Sequence, residues 1–246
     1  MDQSVLRKID DEDLAAGARA NLYTGIHKAL RMFMCDTLLA VGRADPFDTR
    51  DVDSTLEQVR GLLEIALSHL EHENRFMHTA MEACSPGSSY RTADDHVEHL
   101  ESLEVLRAGV ARVQDSPAHL RPAALGALYR RLARFVAENF EHMEYEESHN
   151  MPVLWGGLAD AQLQEIHDAI LASIPPQEMA VTLHWLLPAL SHPERLAMLE
   201  EMRASAPAQA FEAALAIARE RLSRREFAKL AQRLGVPAAP ELVEPR

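Results

Sequence analysis

Two cysteines in 246 residues, Cys35 and Cys84, are too few and too far apart for a disulfide framework or a thiolate zinc site. A reducing compartment is the plain expectation. Lysine and arginine are outnumbered by acids, 25 to 38, and the formal charge of −13 leaves no broad basic surface for nucleic acid or anionic lipid. Long hydrophobic runs are missing too. The most apolar segment, MAVTLHWLLPAL at 179–190, is too short to span a bilayer and contains a proline. The N-terminal MDQSVLRKIDDEDLAAG carries acids where a secretion signal needs a basic start and an apolar stretch. These absences predict a cytoplasmic protein with neither nucleic acid nor membrane as partner. Glycine and aromatics are scarce, and sustained period-2 alternation is absent, which argues against a sheet.

What remains favours helix. Alanine, leucine, glutamate and arginine are plentiful, and the 47% hydrophobic fraction suffices for a packed core. Helical periodicity predicts four long segments: Asp13–Val41, Val52–Ala83 up to CSPGSS, Thr92–Val113, and Pro122–Asn150 ahead of Pro152. After WGG at 155–157 the helices shorten and prolines punctuate them; Ser191 with Glu194 forms a capping box. The expectation is an all-α chain, an antiparallel four-helix bundle over residues 1–155 with a helical C-terminal extension over 156–246.

Polar residues on the core stripes carry the chemistry. In the second segment Leu56, Val59, Leu63, Ala66, Leu70, Met77 and Ala80 recur at spacings of three and four, and Glu73 falls on that stripe with His69 at its edge. His72 and His78 fall elsewhere, toward solvent or the C-terminal helices. In the fourth, Leu125, Leu128, Leu132 and Phe135 extrapolate to Asn139, His142, Glu146 and His149, while Glu147 falls off the stripe. His27 shares a face with Tyr23, Leu30 and Met34. His96 and His99 both extend the face of Leu103, Leu106 and Val110. Burying an unpaired carboxylate costs several kcal/mol. Four helices that each send histidine inward, two of them with an acid, are satisfied together by a cation. HLEHE (69–73) and HMEYE (142–146) repeat one pattern, and each follows an inward histidine, by 42 residues from His27 and 46 from His96. Two metal ions suit that internal duplication better than one. Ferritin-like di-iron sites need Glu-x-x-His on two helices, whereas here only Glu146 and His149 have that spacing.

The order His27, His69-x-x-x-Glu73, His96 or His99, His142-x-x-x-Glu146 resembles the hemerythrin-like, or HHE cation-binding, family. The strings IHKALR (26–31), HENRFMHTAME (72–82) and EESHNMPVLW (146–155) are similar to its helix-borne signatures, over roughly residues 10–155. The resemblance implies two iron ions with an oxygen-derived bridge, with manganese or zinc as substitutes. It implies His27, His69, His96 or His99, and His142 as terminal ligands, with Glu73 and Glu146 bridging. It further implies a protein that binds or senses oxygen or another diatomic, iron or redox state, with a protein partner at the C-terminal helices. The alternatives are a di-iron oxidoreductase activating oxygen or peroxide, and a metal-free helical interaction protein. The chain departs from the oxygen carriers in its third helix: their two histidines stand four apart, these three, with Asp95 at the fourth position from His99.

Overall fold

In the computed structural model the described residues, 19–237, form helices joined by short turns, with no strand among them. No helix among them is long and apolar enough to cross a membrane. Helix α1 spans Thr24–Arg43. The expected start at Asp13 lies outside the described residues, and residues 19–23 are not helical, because the Asn21 side chain accepts hydrogen bonds from the Tyr23 and Thr24 amides. Helix α2, Thr49–His72, is capped by Asp48, whose carboxylate accepts from the Arg50 and Asp51 amides. A π-helical turn, Glu73–Met77, continues it into α3, His78–Cys84. Gly87, at φ +88°, makes the following turn, which the Glu82 carboxylate staples through the Gly87 and Ser89 amides. Helices α4, Tyr90–Asp115, and α5, Arg121–Tyr145, follow; a second π-helical turn, Glu146–Asn150, leads into α6, Met151–Gly157.

Two compact units partition the chain. The first holds the described residues up to His27 together with Met34–Ile174. Within it α4 packs on α2 and α5 through Leu56, Val59, Leu63, Leu103, Leu106, Leu128 and Leu132, all fully buried and each contributing about 1.5–3 kcal/mol of burial. The sequence places a boundary after residue 155. In the structure α7, Asp160–Ser173, belongs to this unit, since Leu163, Ile166 and Ile170 join Tyr23, Met77, Met81, Met151 and Leu154 in one apolar cluster. Arg19 ties off the end of α6 by donating to the carbonyls of Trp155 and Leu158.

The second unit comprises Lys28–Phe33 and the chain from Pro175 onward. It contains α8 (Pro176–Ala189), α9 (His192–Ser205), α10 (Ala208–Arg221) and α11 (Arg224–Leu234) around Leu187, Leu199, Phe211, Leu215, Phe227 and Leu230. The Ser191 amide donates to the Glu194 carboxylate at 2.7 Å, so α9 begins where the capping box predicts. Buried Arg195 satisfies the end of α8 by donating to the carbonyls of Leu187 and Leu190, both at 2.6 Å.

The π turns correct two details of the expected stripes. In each, an amide bonds five residues back, His78 to Glu73 and Met151 to Glu146, which inserts one extra residue into the helix. Every inward position downstream therefore moves by one. His78 is buried where a position off the core stripe was expected, and Met81 replaces Ala80 in the core. Asn150 is buried in place of His149, which is exposed and stacks on Tyr145. The fourth segment also runs through Pro152 rather than stopping before it: the wide turn already interrupts the i→i+4 ladder, so a residue without an N–H is tolerated.

The duplication reaches this end of the unit. Helices α3 and α6 are seven residues each and pack together, with Cys84 and Gly157 as their equivalent last residues. A Cβ on Gly157 would lie 2.6 Å from the Cys84 Cβ and 3.4 Å from its Cα, with the Sγ nearer still. Gly157→Ala therefore forces the two helices apart. It is expected to cost about 1–3 kcal/mol in a thermal or denaturant melt, recovered by adding Cys84→Gly.

Candidate metal centre

Helix α1 supplies His27, α2 His69, α4 His96 and α5 His142, while Glu73 and Glu146 are the first residues of the two π turns. The structure gathers these six into two overlapping groups, each able to hold a metal ion: His27, His69, Glu73 and Glu146, and Glu73, His96, His142 and Glu146. Within each group one ligand atom per residue lies within 4.8 Å of every other. The carboxylates divide their oxygens between the two groups. Glu73 turns Oε1 to the Nε2 atoms of His69 and His27, at 3.1 and 3.6 Å, and Oε2 to His96 Nε2 at 3.4 Å. Glu146 turns Oε2 to His27 at 3.4 Å, and Oε1 to His142 at 3.5 Å and His96 at 4.0 Å.

The residues fit a cation by the bonds they do not make. All four carboxylate oxygens, with Nε2 of His27 and of His69, are buried and in no hydrogen bond. Each such group costs about 1–3 kcal/mol if left unpaired. His96 and His142 bring their Nε2 atoms to 3.0 Å of each other. Two nitrogens that bind one ion at about 2.1 Å, at right angles, lie about 3 Å apart. Glu73 and Glu146 are 3% and 0% exposed, and among the described residues no lysine or arginine forms an ion pair with either.

A second layer fixes the imidazole orientations. His27 Nδ1 pairs with Glu147 Oε1 at 2.8 Å, His96 Nδ1 with Asn74 Oδ1 at 2.9 Å and His142 Nδ1 with Asp95 Oδ2 at 3.2 Å. A proton on each Nδ1 leaves the Nε2 lone pair facing the centre, the tautomer a metal requires. Asn74 and Glu147 are both the residue after a π-turn carboxylate, so the duplication includes them. Stripe periodicity misses them because they point sideways to a neighbouring helix rather than into the core.

The electrostatics express the crowding of acids and bases. Burial opposes charge on His27, but Glu146, Glu147 and Glu73 outweigh it and push its pKa up to about 10. Burial, then the Glu73 charge, raises Glu146 to about 8. Glu73 is held well below the usual carboxylate range: burial acts upward, and the imidazoles of His69, His27 and His96 overcome it. Burial drives His142 down to about 3.

His99 is buried but outside both groups. Its ring meets the edge of His142 at 4.8 Å between centroids, and its Nδ1 has no hydrogen-bond partner. His78 lies flat against His96 at 4.9 Å and pairs through Nε2 with Thr92 Oγ1 at 3.1 Å; Asn150 donates to the same hydroxyl at 3.4 Å. The Tyr23 ring sits 5.2 Å from that of His27, and its buried hydroxyl makes no hydrogen bond. In comparisons with family models, curated proteins and solved structures, nothing matches this chain.

Proposed function

We propose that the first unit is a hemerythrin-like protein: an antiparallel four-helix bundle of α1, α2, α4 and α5 that holds two iron ions and binds or senses oxygen or a related diatomic. One observation carries the reading, the sharing of both carboxylates between two histidine pairs with every oxygen free of hydrogen bonds. His27 and His69 would hold one ion, His96 and His142 the other, and Glu73 and Glu146 both. The chemistry that iron would supply there is reversible exchange of electrons with a diatomic ligand. The chain contributes fixed imidazole tautomers through Glu147, Asn74 and Asp95, and buries His27, Glu73, His96, His142 and Glu146 away from solvent. The Tyr23 hydroxyl favours a second reading, an oxidoreductase that activates oxygen or peroxide, because a buried phenol whose proton is held by burial and by Glu146 and Glu73 can donate a hydrogen bond into the centre.

Anaerobic loading with ferrous iron, followed by metal analysis and absorption spectra before and after air, tests the proposal. The expected result is about two irons per chain and bands that appear with oxygen and reverse on its removal. Sustained consumption of oxygen or peroxide would mark the second reading instead. Sub-stoichiometric uptake of iron, manganese and zinc alike would overturn both.

A further inference from the structure

The two cation positions are related by the duplication but are not chemically equal. Glu147 and Asn74 occupy the same place, one residue beyond a bridging carboxylate, and each receives the Nδ1 proton of an imidazole from another helix. One acceptor is a carboxylate and the other an amide on an exposed residue. A carboxylate behind an imidazole makes it the stronger donor to a metal, and an amide does so far less. Asp95 backs His142, but at 3.2 Å and with its side chain 35% exposed, against 2.8 Å and 28% for Glu147 behind a wholly buried His27.

Resting on the metal-centre reading above, we infer that Glu147 and Asn74 are positioning residues that impose an order of filling. The position framed by His27 and His69 is occupied first and holds its ion more tightly; the position framed by His96 and His142 is second and exchanges more readily. The centre then passes through a one-metal form over a range of free metal, as a graded metal sensor or a store of one labile ion requires.

Anaerobic titration of the metal-free chain with cobalt(II), followed by its visible absorption and by calorimetry, tests the order. Two steps about tenfold or more apart in affinity are expected. Glu147→Gln keeps a hydrogen-bond acceptor and should weaken the first step roughly 10–100-fold while leaving the second in place. Asn74→Asp should tighten the second step, and restoring the carboxylate with Glu147→Asp should recover part of the first. Unchanged melting of the metal-free variants shows that the effect passes through the imidazoles and not through folding. Uptake of two cobalt ions in a single step, or equal weakening of both steps by Glu147→Gln, overturns the order while leaving the metal centre standing. No cobalt uptake by the unaltered chain overturns the metal centre itself.

Discussion

Glu73→Gln is expected to empty both cation positions, whereas His69→Ala empties one. The difference follows from how the donors are shared. His69 belongs to one group only, and its loss leaves His96, His142 and both carboxylates intact around the other ion. Glu73 belongs to both, with Oε1 toward His69 and His27 and Oε2 toward His96. The glutamine fills the same space, so packing survives. It replaces an anionic oxygen with an amide nitrogen that is a donor and cannot ligate, and the two positive ions lose half of the charge that holds them side by side. Glu146→Gln should match it, because its oxygens are divided in the same way. Metal content after gel filtration should fall from about two per chain to well under one for either glutamine variant, and to about one for His69→Ala. Equal losses in all three, or two ions retained by Glu73→Gln, would show that the carboxylates do not bridge.

His69, Glu73, His142 and Glu146 are legible because each lies at or before the point where its helix departs from 3.6 residues per turn, and His27 and His96 because their helices have no such departure. Upstream of Glu73 and Glu146 the stripes of Leu56 to Leu70 and Leu125 to Phe135 run at regular spacing, and extrapolation lands on His69, Glu73, His142 and Glu146. Downstream the same extrapolation fails, choosing Ala80 over His78 and Met81, and His149 over Asn150. A π turn is a hydrogen-bond irregularity that no residue of ENRFM or EESHN announces. His96 and His99 are three apart and both buried, so periodicity alone could not separate them; the facing of Nε2 toward His142 and Glu73 puts His96 in the group. Asn74 and Glu147 act across helices on histidines 22 and 120 residues away, which a one-dimensional stripe does not contain. The Ser191 cap, by contrast, is wholly local and was readable to the residue.

Metal should stabilise the protein more as pH rises, and the metal-free protein should lose stability over the same range. In the metal-free centre His27 and Glu146 bind protons more tightly when folded, with pKa values of about 10 and about 8 against 6.5 and 4.5 for the free groups. Their stabilising effect is complete below those free values and is lost as pH rises through about 8 and then about 10. His142, depressed by burial to about 3 from 6.5, acts oppositely: the fold favours its neutral form, so its stability is lost as pH falls below 6.5. Glu73, held well below 4.5, adds a further loss in stronger acid. The metal-free chain should therefore be most stable in mild acid, between the free values of 4.5 and 6.5, and decline on both sides. A cation replaces the protons on His27 and Glu146 and removes the alkaline decline, while in acid the protons on the imidazoles compete with it. With free metal at 100 times Kd, each position adds about 2.7 kcal/mol. For a chain of this size that is roughly 5–10 °C in Tm per position. Calorimetry near pH 5.5, 7 and 8.5, with and without zinc or manganese, should show a shift that grows at each step. A shift that is equal at all three values, or largest in acid, would mean that the ligands are not these imidazoles and carboxylates.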